Sequence, residues 1–527
     1  MPSLIRSASK ILSHAANTSD DATSMVIETT ADNELFTIGC HAVFTDANVD
    51  WGDGSTSAIT TYNDADLTHT YASASEHTIV ISGTTSLNMY GAANSSRLKV
   101  KRVLNFGNTG ATQLSGAFRE CENMTSFVSG NCDTSSVYNM SRMFQNCTSL
   151  TTLDVSGFDT SSVTNMYAMI HNCISITSLD VSNWDTSSVT NMVHVMSSCV
   201  NLTSLDVSNW DTSSVINMHS MFRDNTALTT CDVSGVNTSS VTNMRNMFYS
   251  CVALTTVNVS GFNTSSAINM QGMFQNCPSV TSLDVGSFDT SLVTNMYAMM
   301  HNCISITSLD VSNFNTSNVI NMGYVISRCY NLTSIDVSNW DTSSATNMDS
   351  MFRENTVLTT CDVSNFDTSS VTAMNGMFQD CNDVTSLDVS GFNTSLVTNM
   401  YAMFYRCRAA TAGLDVSSFD TSSVTNMQYM FQDLGADNGA SIDIIGVENF
   451  NIEAFIFTNS LRNFMSGVAI PTARYDSLLI NWDAQDPLDG LSPTFGSSQY
   501  TAGGTAAAAR ANLISTDGWT ITDGGTA

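Results

Sequence analysis

One phrase recurs along most of this 527-residue chain, and its spacing constrains the fold more than any other feature. It reads LDVSNWDTSSVTNM from Leu179 and returns with small changes every 26 residues. The Met of each Asn-Met pair therefore lies at 140, 166, 192 and onward to 400, and then at 427 after a slip of one residue. Strict self-similarity at a fixed period predicts a solenoid, in which each repeat is one coil that buries its apolar face against its neighbours.

A longer period lies above the first. The stretch YAMIHNCISITSLDVSNW from Tyr167 returns almost unchanged from Tyr297, which is five repeats further along. A block of about 141–270 has therefore been copied to 271–400, and the array has grown by duplication.

Each repeat contains the pattern of a strand followed by a turn. Leu150, Leu153 and Val155 have the spacing L-x-x-L-x-L, and the alternation around 153–156 predicts a strand. After the turn at 159–162, a cap at Thr164 or Asn165 predicts a short helix with one apolar face, formed by Met166, Met169, Ile170 and Cys173. The sequence thus predicts an α/β leucine-rich-repeat solenoid of about a dozen 26-residue coils. A parallel β-sheet forms one face, and short helices form the other.

The repeat MFQNCTSLTTLDVSGFDTSSVTNM from Met143 resembles that of the BspA-like leucine-rich-repeat surface proteins. The resemblance covers about 98–450, and it implies extracellular adhesion and binding of a host or matrix ligand without naming that ligand. No secretory signal peptide is recognised in the sequence, which favours a virion protein as an alternative to a cell-surface protein.

The segments outside the repeats predict four regions: an N-terminal arm (1–22), a small β-sandwich (23–85), the solenoid (86–465) and a C-terminal capping region (466–527). The stretch WGDGS from Trp51 and the stretch HTY from His69 resemble a PKD-type immunoglobulin-like domain. In the capping region, YDSLLINWDAQ and TAAAARANLI predict helices, and GWTIT predicts a strand. A cap is expected because an open solenoid must cover its last apolar face.

The charge balance excludes several kinds of partner. The chain has 47 acidic and 17 basic residues and a net charge of −30. This argues against a nucleic acid, which needs clustered Lys and Arg, and against an anionic membrane surface. No apolar run reaches the roughly 20 residues that a membrane-spanning helix needs, so membrane insertion is not expected. No catalytic motif occurs, and a regular repeat does not bring unlike groups together at one point, so we expect no enzyme and no required cofactor.

Cysteines recur in one register of the repeat, and we expect them to be packing residues. Asn225 and Asn355 replace Cys in two coils, and no C-x-x-C pair occurs, so neither disulfides nor zinc is favoured. The recurring methionines are likewise predicted to fill the core. His171 and His301 occupy the same position in the two copies of the block, so the duplication explains their recurrence. The register comprises Cys121, Cys147, Cys173, Cys199, Cys251, Cys277, Cys303, Cys329, Cys381 and Cys407.

An aspartate follows the first apolar strand residue in almost every coil, and alternation predicts that it points away from the core. One interpretation is a solvated face that prevents aggregation. The other is a contact surface for divalent cations such as Ca²⁺, or for a basic or polyhydroxylated ligand. In the sandwich, Asp50 and Asp53 offer a second cation site, although turn stabilisation is the favoured interpretation. The row, called the Asp ladder below, comprises Asp154, Asp180, Asp206, Asp232, Asp284, Asp310, Asp336, Asp362, Asp388 and Asp415.

Two functions remain open on the sequence. The first is a non-catalytic adhesion or receptor-binding protein, displayed outside a bacterial cell or on a phage virion, that recognises a protein or glycan ligand through the repeat face. The second is a structural virion component, such as a tail fibre, spike or decoration protein, whose solenoid sets length or mediates assembly with itself or with virion partners.

Overall fold

The computed structural model describes residues 21–41, 47–411, 413–438 and 441–527. Residues 1–20 of the predicted N-terminal arm lie outside the described residues. The chain divides into two compact units, Met1–Val241 with Met247–Val257, and Thr242–Asn246 with Asn258–Ala527.

The first unit begins with antiparallel strands in two sheets. These are β1 (Thr23–Glu28), β2 (Glu34–Thr37), β3 (Ala47–Asp50), β4 (Thr56–Ile59), β5 (Thr68–Tyr71) and β6 (Glu76–Gly83). Strands β4, β3, β6 and β1 pair in that order, and β2 pairs with β5. The rings of Tyr71 on β5 and His77 on β6 stack at 3.9 Å between centroids, so the two sheets face each other. The predicted small β-sandwich is therefore present.

The sandwich and the solenoid share one sheet. After the short helix α1 (Asn94–Arg97), strand β7 (Val100–Asn105) pairs antiparallel with β1 on one side. On its other side it pairs parallel with β8 (Ser126–Val128), which in turn pairs with β9 (Thr152–Asp154). The seven-stranded sheet β4-β3-β6-β1-β7-β8-β9 thus runs through the boundary predicted at residue 85. Strand β1 covers the backbone edge that the first coil would otherwise expose.

The strand face of each coil, defined by Leu153–Ser156 and its equivalents, carries only short strands. In the first unit β10 (Ser204–Asp206) and β11 (Thr230–Asp232) pair in parallel. Leu205 points inward and is buried, whereas Asp206 points outward. Residues 177–181 of the coil before β10 form no strand. The predicted parallel sheet is therefore interrupted at this coil. The turn that follows each Asp limits the strands that do form to at most three residues.

The opposite side of each coil differs from the predicted short helix. We call it the turn face and define it by 165–173 and its equivalents. These residues form consecutive turns, in which Ala168 and Asn172 have left-handed φ angles of 52° and 60°. The N–H groups of Met166, Ala168, Ile170 and Asn172 donate to carbonyls of the next coil at 2.9–3.1 Å, instead of to their own coil four residues back.

Coil spacing explains why the predicted helix is wrong. Paired strands lie about 4.8 Å apart, whereas a helix with its side chains is about 10 Å wide. Stacked coils bonded to one another on both faces leave no room for a helix in each. The inward side chains are nevertheless the predicted ones, since Met166, Met169, Ile170 and Cys173 are all buried.

The second unit continues the same coils and ends in two helices. Its strands are β12 (Ser334–Ile335), β13 (Thr360–Cys361), β14 (Leu414–Asp415) and β15 (Ile444–Ile445), paired as β12-β13 and β14-β15. Bridges between equivalent asparagines, such as Asn269, Asn295 and Asn321, hold successive coils together. The solenoid of 26-residue coils is therefore confirmed.

The C-terminal helices are α2 (Thr472–Asp483) and α3 (Thr505–Ser515), where the sequence predicts helices. On α2, Leu478, Leu479 and Trp482 are buried, and Trp482 lies 5.9 Å from Phe464 of the preceding coil between ring centroids. The predicted strand GWTIT is reduced to a single bridge between Thr494 and Thr522. Short 3-10 helices lie at Ala65–Leu67, Met89–Gly91, Ala436–Asn438 and Val447–Asn449.

Candidate functional site

The Asp ladder lies on the strand face and points outward in both units. Asp154, Asp180, Asp206 and Asp232 belong to the first unit, and the other six belong to the second. All ten side chains are exposed or half-exposed, whereas Leu205 and Val207, directly before and after Asp206, are buried. The predicted outward orientation follows directly from the strand period of two.

Nine of the ten ladder carboxylates also hold the turn of their own coil by accepting the N–H of the serine two residues on. Oδ1 of Asp180 accepts the N–H of Ser182 at 3.0 Å and its hydroxyl at 2.7 Å. The hydroxyl, and then the N–H, lower the pKa of Asp180 below its usual value of 3.8. Asp310 and Asp362 make the same pair of bonds to the serine two residues on. These bonds hold the carboxylates of Asp180, Asp310 and Asp362 in a fixed orientation.

The turn predicted at 159–162 recurs in other coils, and its acids form a second row that the sequence interpretation did not single out. Oδ1 of Asp159 accepts the N–H of Ser161 at 3.0 Å and its hydroxyl at 2.6 Å. The repeated Asp-Thr-Ser at 26-residue spacing was the signal that could have revealed this row. Hydrogen bonds from the hydroxyl and then the N–H of Ser187 lower the pKa of Asp185. The negative charge of Asp211 in the next coil opposes this lowering only in part. The equivalent acids are Asp133, Asp159, Asp185 and Asp211 in the first unit, and Asp289, Asp341, Asp367 and Asp420 in the second.

A groove of about 630 Å³ opens in the strand face of the first unit. Four ladder acids line it (Asp154, Asp180, Asp206 and Asp232), together with threonine and serine hydroxyls of the same coils. Leu179 at its centre is half-exposed, whereas Leu153 and Leu205 on the neighbouring coils are only 8% and 4% exposed. The groove lies where 177–181 form no strand, so it combines carboxylates, hydroxyls and a small apolar floor.

The acids do not form a cage for a metal ion. Within the described ranges, no three His, Cys, Asp or Glu side chains lie close enough together to hold one ion. Cation binding by the ladder would therefore have to bridge two carboxylates of adjacent coils. In the sandwich, Asp50 accepts the N–H of Gly52, and Asp53 accepts bonds from Ser55 and pairs with His69 at 2.8 Å. These are the turn bonds of the favoured interpretation.

The cysteine register is buried, as predicted, and most of its thiols donate to a backbone carbonyl of the preceding coil. All 14 cysteines of the chain are present as thiols. The Sγ–H of Cys173 donates to the carbonyl of Phe144 in the preceding coil at 3.1 Å, and that of Cys303 donates to Phe274 at 3.2 Å. Where Asn225 replaces the cysteine, its amide donates to Met196 at 2.9 Å in the same way. Burial raises the pKa of Cys173 well above its usual value, which supports the predicted packing role of these thiols.

Comparison with known proteins places the repeats in a family. A model of the family described as "Mycoplasma protein of unknown function, DUF285" matches residues 88–203, 112–230, 175–283, 269–381 and 325–444. These segments together span 88–444, which is more than half of the chain and overlaps almost all of the BspA-like resemblance at about 98–450. The PKD-like resemblance of 23–85 lies outside them and stays a prediction.

Other comparisons give little. A solved chain described as "Crystal structure of TLR13-ssRNA13 complex" is similar over 75% of this chain and 62% of its own length, at 11% identity and a TM-score of 0.17. A score so low carries no argument about fold or function. No curated protein matches the chain. None of the helices within the described residues is long and apolar enough to cross a membrane.

Proposed function

Since the chain belongs to the family described as Mycoplasma protein of unknown function, DUF285, we propose its function from its geometry. The chain is a non-catalytic binding protein, displayed on a bacterial cell or phage surface, whose strand face holds a hydroxyl-rich glycan or a polypeptide with similar donors. The observation that carries this proposal is the groove lined by Asp154, Asp180, Asp206 and Asp232.

The groove offers acceptors in a fixed arrangement. Each lining carboxylate is held by its serine N–H through Oδ1, and the bonds of Asp180 leave Oδ2 to accept donors from outside. Fixed acceptors reduce the conformational entropy that binding costs. Sugar hydroxyls and lysine ammonium groups are donors that suit such a surface, and the half-exposed Leu179 provides an apolar contact beside them.

Calcium is the candidate cation of this face. Two acids of adjacent coils, such as Asp180 and Asp206, are close enough for the charge of the first to oppose the lowering of the pKa of the second. One Ca²⁺ bridging such a pair supplies positive charge and open coordination positions for sugar hydroxyls. We therefore expect Ca²⁺ to raise the melting temperature more than monovalent salt does at equal ionic strength.

A glycan array probed with the labelled full chain, with Ca²⁺ or with a chelator, tests the proposal. We expect Ca²⁺-strengthened binding that is lost in the double variant Asp180→Asn with Asp206→Asn. Asparagine keeps the turn, since Asn258 accepts the N–H of Ser260 at 3.2 Å. The matched control is Asp336→Asn with Asp362→Asn, which makes the same charge change at ladder positions outside the groove.

The proposal has a clear contrary outcome. If both double variants bind as the wild type does, the groove is not the contact surface. If the chain binds no glycan and no cell-surface protein but sediments as a concentration-dependent assembly, the structural virion role replaces adhesion.

A further inference from the structure

An exposed apolar patch lies on the second unit, beside the bridging asparagines. Its side chains are Ile268, Leu292 and Ile320, which are 46%, 52% and 49% exposed. The N–H of Thr294 donates to the carbonyl of Ile268, and that of Ile320 donates to the carbonyl of Thr294, both at 2.9 Å. The patch therefore occupies three consecutive coils, with about 4.8 Å from one coil to the next. No part of the strand-face proposal uses these residues.

The aliphatic side chains form one continuous surface. Thr294 lies between the two isoleucines and is half-exposed, whereas the equivalent Thr346, which has an isoleucine on one side only, is exposed. Leu292 and Thr294 both point outward, because the buried Val293 stands between them in the chain. Leu292 therefore extends the patch sideways within the middle coil.

Negative charge is missing from the two coils that carry the isoleucines. Asn263 and Asn315 occupy in those coils the place that Asp289 and Asp341 occupy in neighbouring coils. Oδ1 of Asn315 accepts the N–H of Ser317 at 3.1 Å and its hydroxyl at 2.7 Å, so the turn bonds are kept without a carboxylate. The exchange of Asp for Asn therefore changes the charge beside the patch and not the turn.

The missing charge indicates what covers the patch. Carboxylates around an apolar contact attract a basic partner and repel an acidic one, so their removal favours a partner that is itself acidic. The chain has a net charge of −30, and a second copy of it is such a partner. The patch is also self-complementary, because Ile268 and Ile320 flank Leu292 one coil to either side. A two-fold axis through the coil of Leu292 brings Ile268 of one copy against Ile320 of the other.

We propose that the chain pairs with a second copy of itself through this patch, with the coils of the two copies in opposite order. Five coils centred on Leu292, each about 4.8 Å deep and about five residues wide, give an interface of roughly 400 Å² per copy. An interface of this size is typical of weak pairing, so we expect a dissociation constant on the order of 10 µM or higher.

Sedimentation equilibrium of the full chain at several NaCl concentrations tests the proposal. Pairing should strengthen as NaCl rises, because salt screens the repulsion between two acidic copies. The triple variant Ile268→Thr, Leu292→Ser, Ile320→Thr should raise the dissociation constant at least about 100-fold, since most of the apolar contact is removed. Threonine and serine stand at these positions in other coils, as at Thr346 and Ser370, so the circular dichroism and melting of the variant should match those of the wild type.

Two further variants control for charge and for substitution type. Asp289→Asn removes the carboxylate that remains in the middle coil, and it should tighten pairing at low salt. Leu396→Ser makes the same substitution four coils beyond Leu292, outside the patch, and it should pair as the wild type does.

Disulfide trapping tests the geometry of the pair. Under mild oxidation Leu292→Cys should link to its own copy, whereas Ser334→Cys on the strand face should not. None of these variants alters the groove at Asp180 and Asp206, so glycan binding and pairing can fail independently.

The proposal is overturned if the wild type stays monomeric up to about 100 µM in about 0.5 M NaCl, conditions that favour even a weak apolar interface. It is equally overturned if the triple variant pairs as the wild type does. Pairing that weakens as salt rises would show an attraction between opposite charges and would place the contact elsewhere on the molecule.

Discussion

Within each coil, small polar side chains that face inward bond to the backbone of a neighbouring coil. The thiol of Cys173 reaches back to Phe144, and the hydroxyl of the buried Thr160 reaches forward to the carbonyl of Asp185 at 2.8 Å. Asn355 fits the cysteine slot because its amide donates to Ile326 at 2.8 Å while its oxygen accepts the N–H of Cys329 at 2.9 Å. The slot requires a small side chain that donates a hydrogen bond to the backbone of the preceding coil. Both cysteine and asparagine meet this requirement.

The thiols should be reduced and protected from reagents in the folded protein. We expect mass spectrometry after native alkylation at neutral pH to find the register unmodified, with full modification after denaturation, because burial raises the pKa of thiols such as Cys173 and Cys303. Linked pairs between adjacent coils, such as Cys173 with Cys199, would contradict the packing role.

Acid should destabilise the fold through the turn-forming carboxylates. The pKa of Asp310, like that of Asp362, is lowered in the folded chain by the hydroxyl and then the N–H of the following serine. Such a group stabilises the fold above its unfolded pKa of about 3.9, and that stability is lost as the pH falls through the folded pKa.

Melting temperature measured from pH 6 to pH 2 should therefore fall steeply below about pH 4. Replacing Asp310 and Asp362 by asparagine keeps the turn acceptor but removes its titration, so the fall should be smaller in that variant. An equal fall in wild type and variant would show that other carboxylates govern acid unfolding.

At the scale of the element, the turn face replaces a helix with left-handed residues at fixed positions. Ala298 has φ 54°, and the equivalent residues one coil before it and three coils after it in the same unit are Gly272 and Gly376, with φ 59° and 62°. The N–H of Ala298 donates to the carbonyl of Gly323 in the next coil at 2.8 Å. Left-handed backbone is costly for residues with a Cβ, so glycine is the unstrained choice at this position.

The variant Ala298→Gly distinguishes the two backbones. Here relief of about 1 kcal/mol of left-handed strain offsets the loss of a buried methyl worth about 0.8 kcal/mol, so the free energy of unfolding should hardly change. If residue 298 lay in a helix, the same change would lower the free energy of unfolding by about 1 kcal/mol through helix propensity. The loss of the buried methyl would lower it further. Urea denaturation measures the difference. Ala298→Val is the strained control, because a β-branched residue strongly disfavours positive φ.

At the scale of the whole molecule, stacked coils make the chain nearly modular. The N–H of Met270 bonds to the carbonyl of Asn295 at 3.0 Å, and that of Met400 bonds to Asn426 at 2.9 Å. Met270 lies directly before the duplicated block 271–400, and Met400 is its last residue. The two methionines therefore form equivalent hydrogen bonds to the coil that follows each of them. Stability should then be a sum of coil terms and neighbour terms.

Deleting 271–400 should leave a shorter folded protein, because Met270 takes over the bond of Met400 to Asn426. Deleting 13 residues from within one coil of the block should abolish cooperative unfolding, since strand residues would then lie against turn-face residues. Circular dichroism and thermal melting of the two deletions provide the comparison. Equal tolerance of both deletions would contradict the coil register.

The sequence by itself determined the coil period, the inward-facing Met, Cys and Leu positions, and the outward Asp ladder. These follow from spacing and alternation, which are local properties of the chain. It could not decide the backbone of the turn face, because the spacing of Met166, Met169, Ile170 and Cys173 suits a helix as well as consecutive turns. Only the contacts between coils select the turns, since N–H groups that bond to the next coil cannot also close a helix.

Tertiary structure alone decided three further features. Strand β1 pairs with β7 across more than 70 residues of chain, and no local pattern specifies such a partner. The groove opens at Leu179 although its motif matches that at Leu205, so the surrounding coils and not the motif decide its exposure. His171, His194 and Ser197 come together because coils 26 residues apart in sequence stack directly on one another, a proximity that depends on the stacking of folded coils.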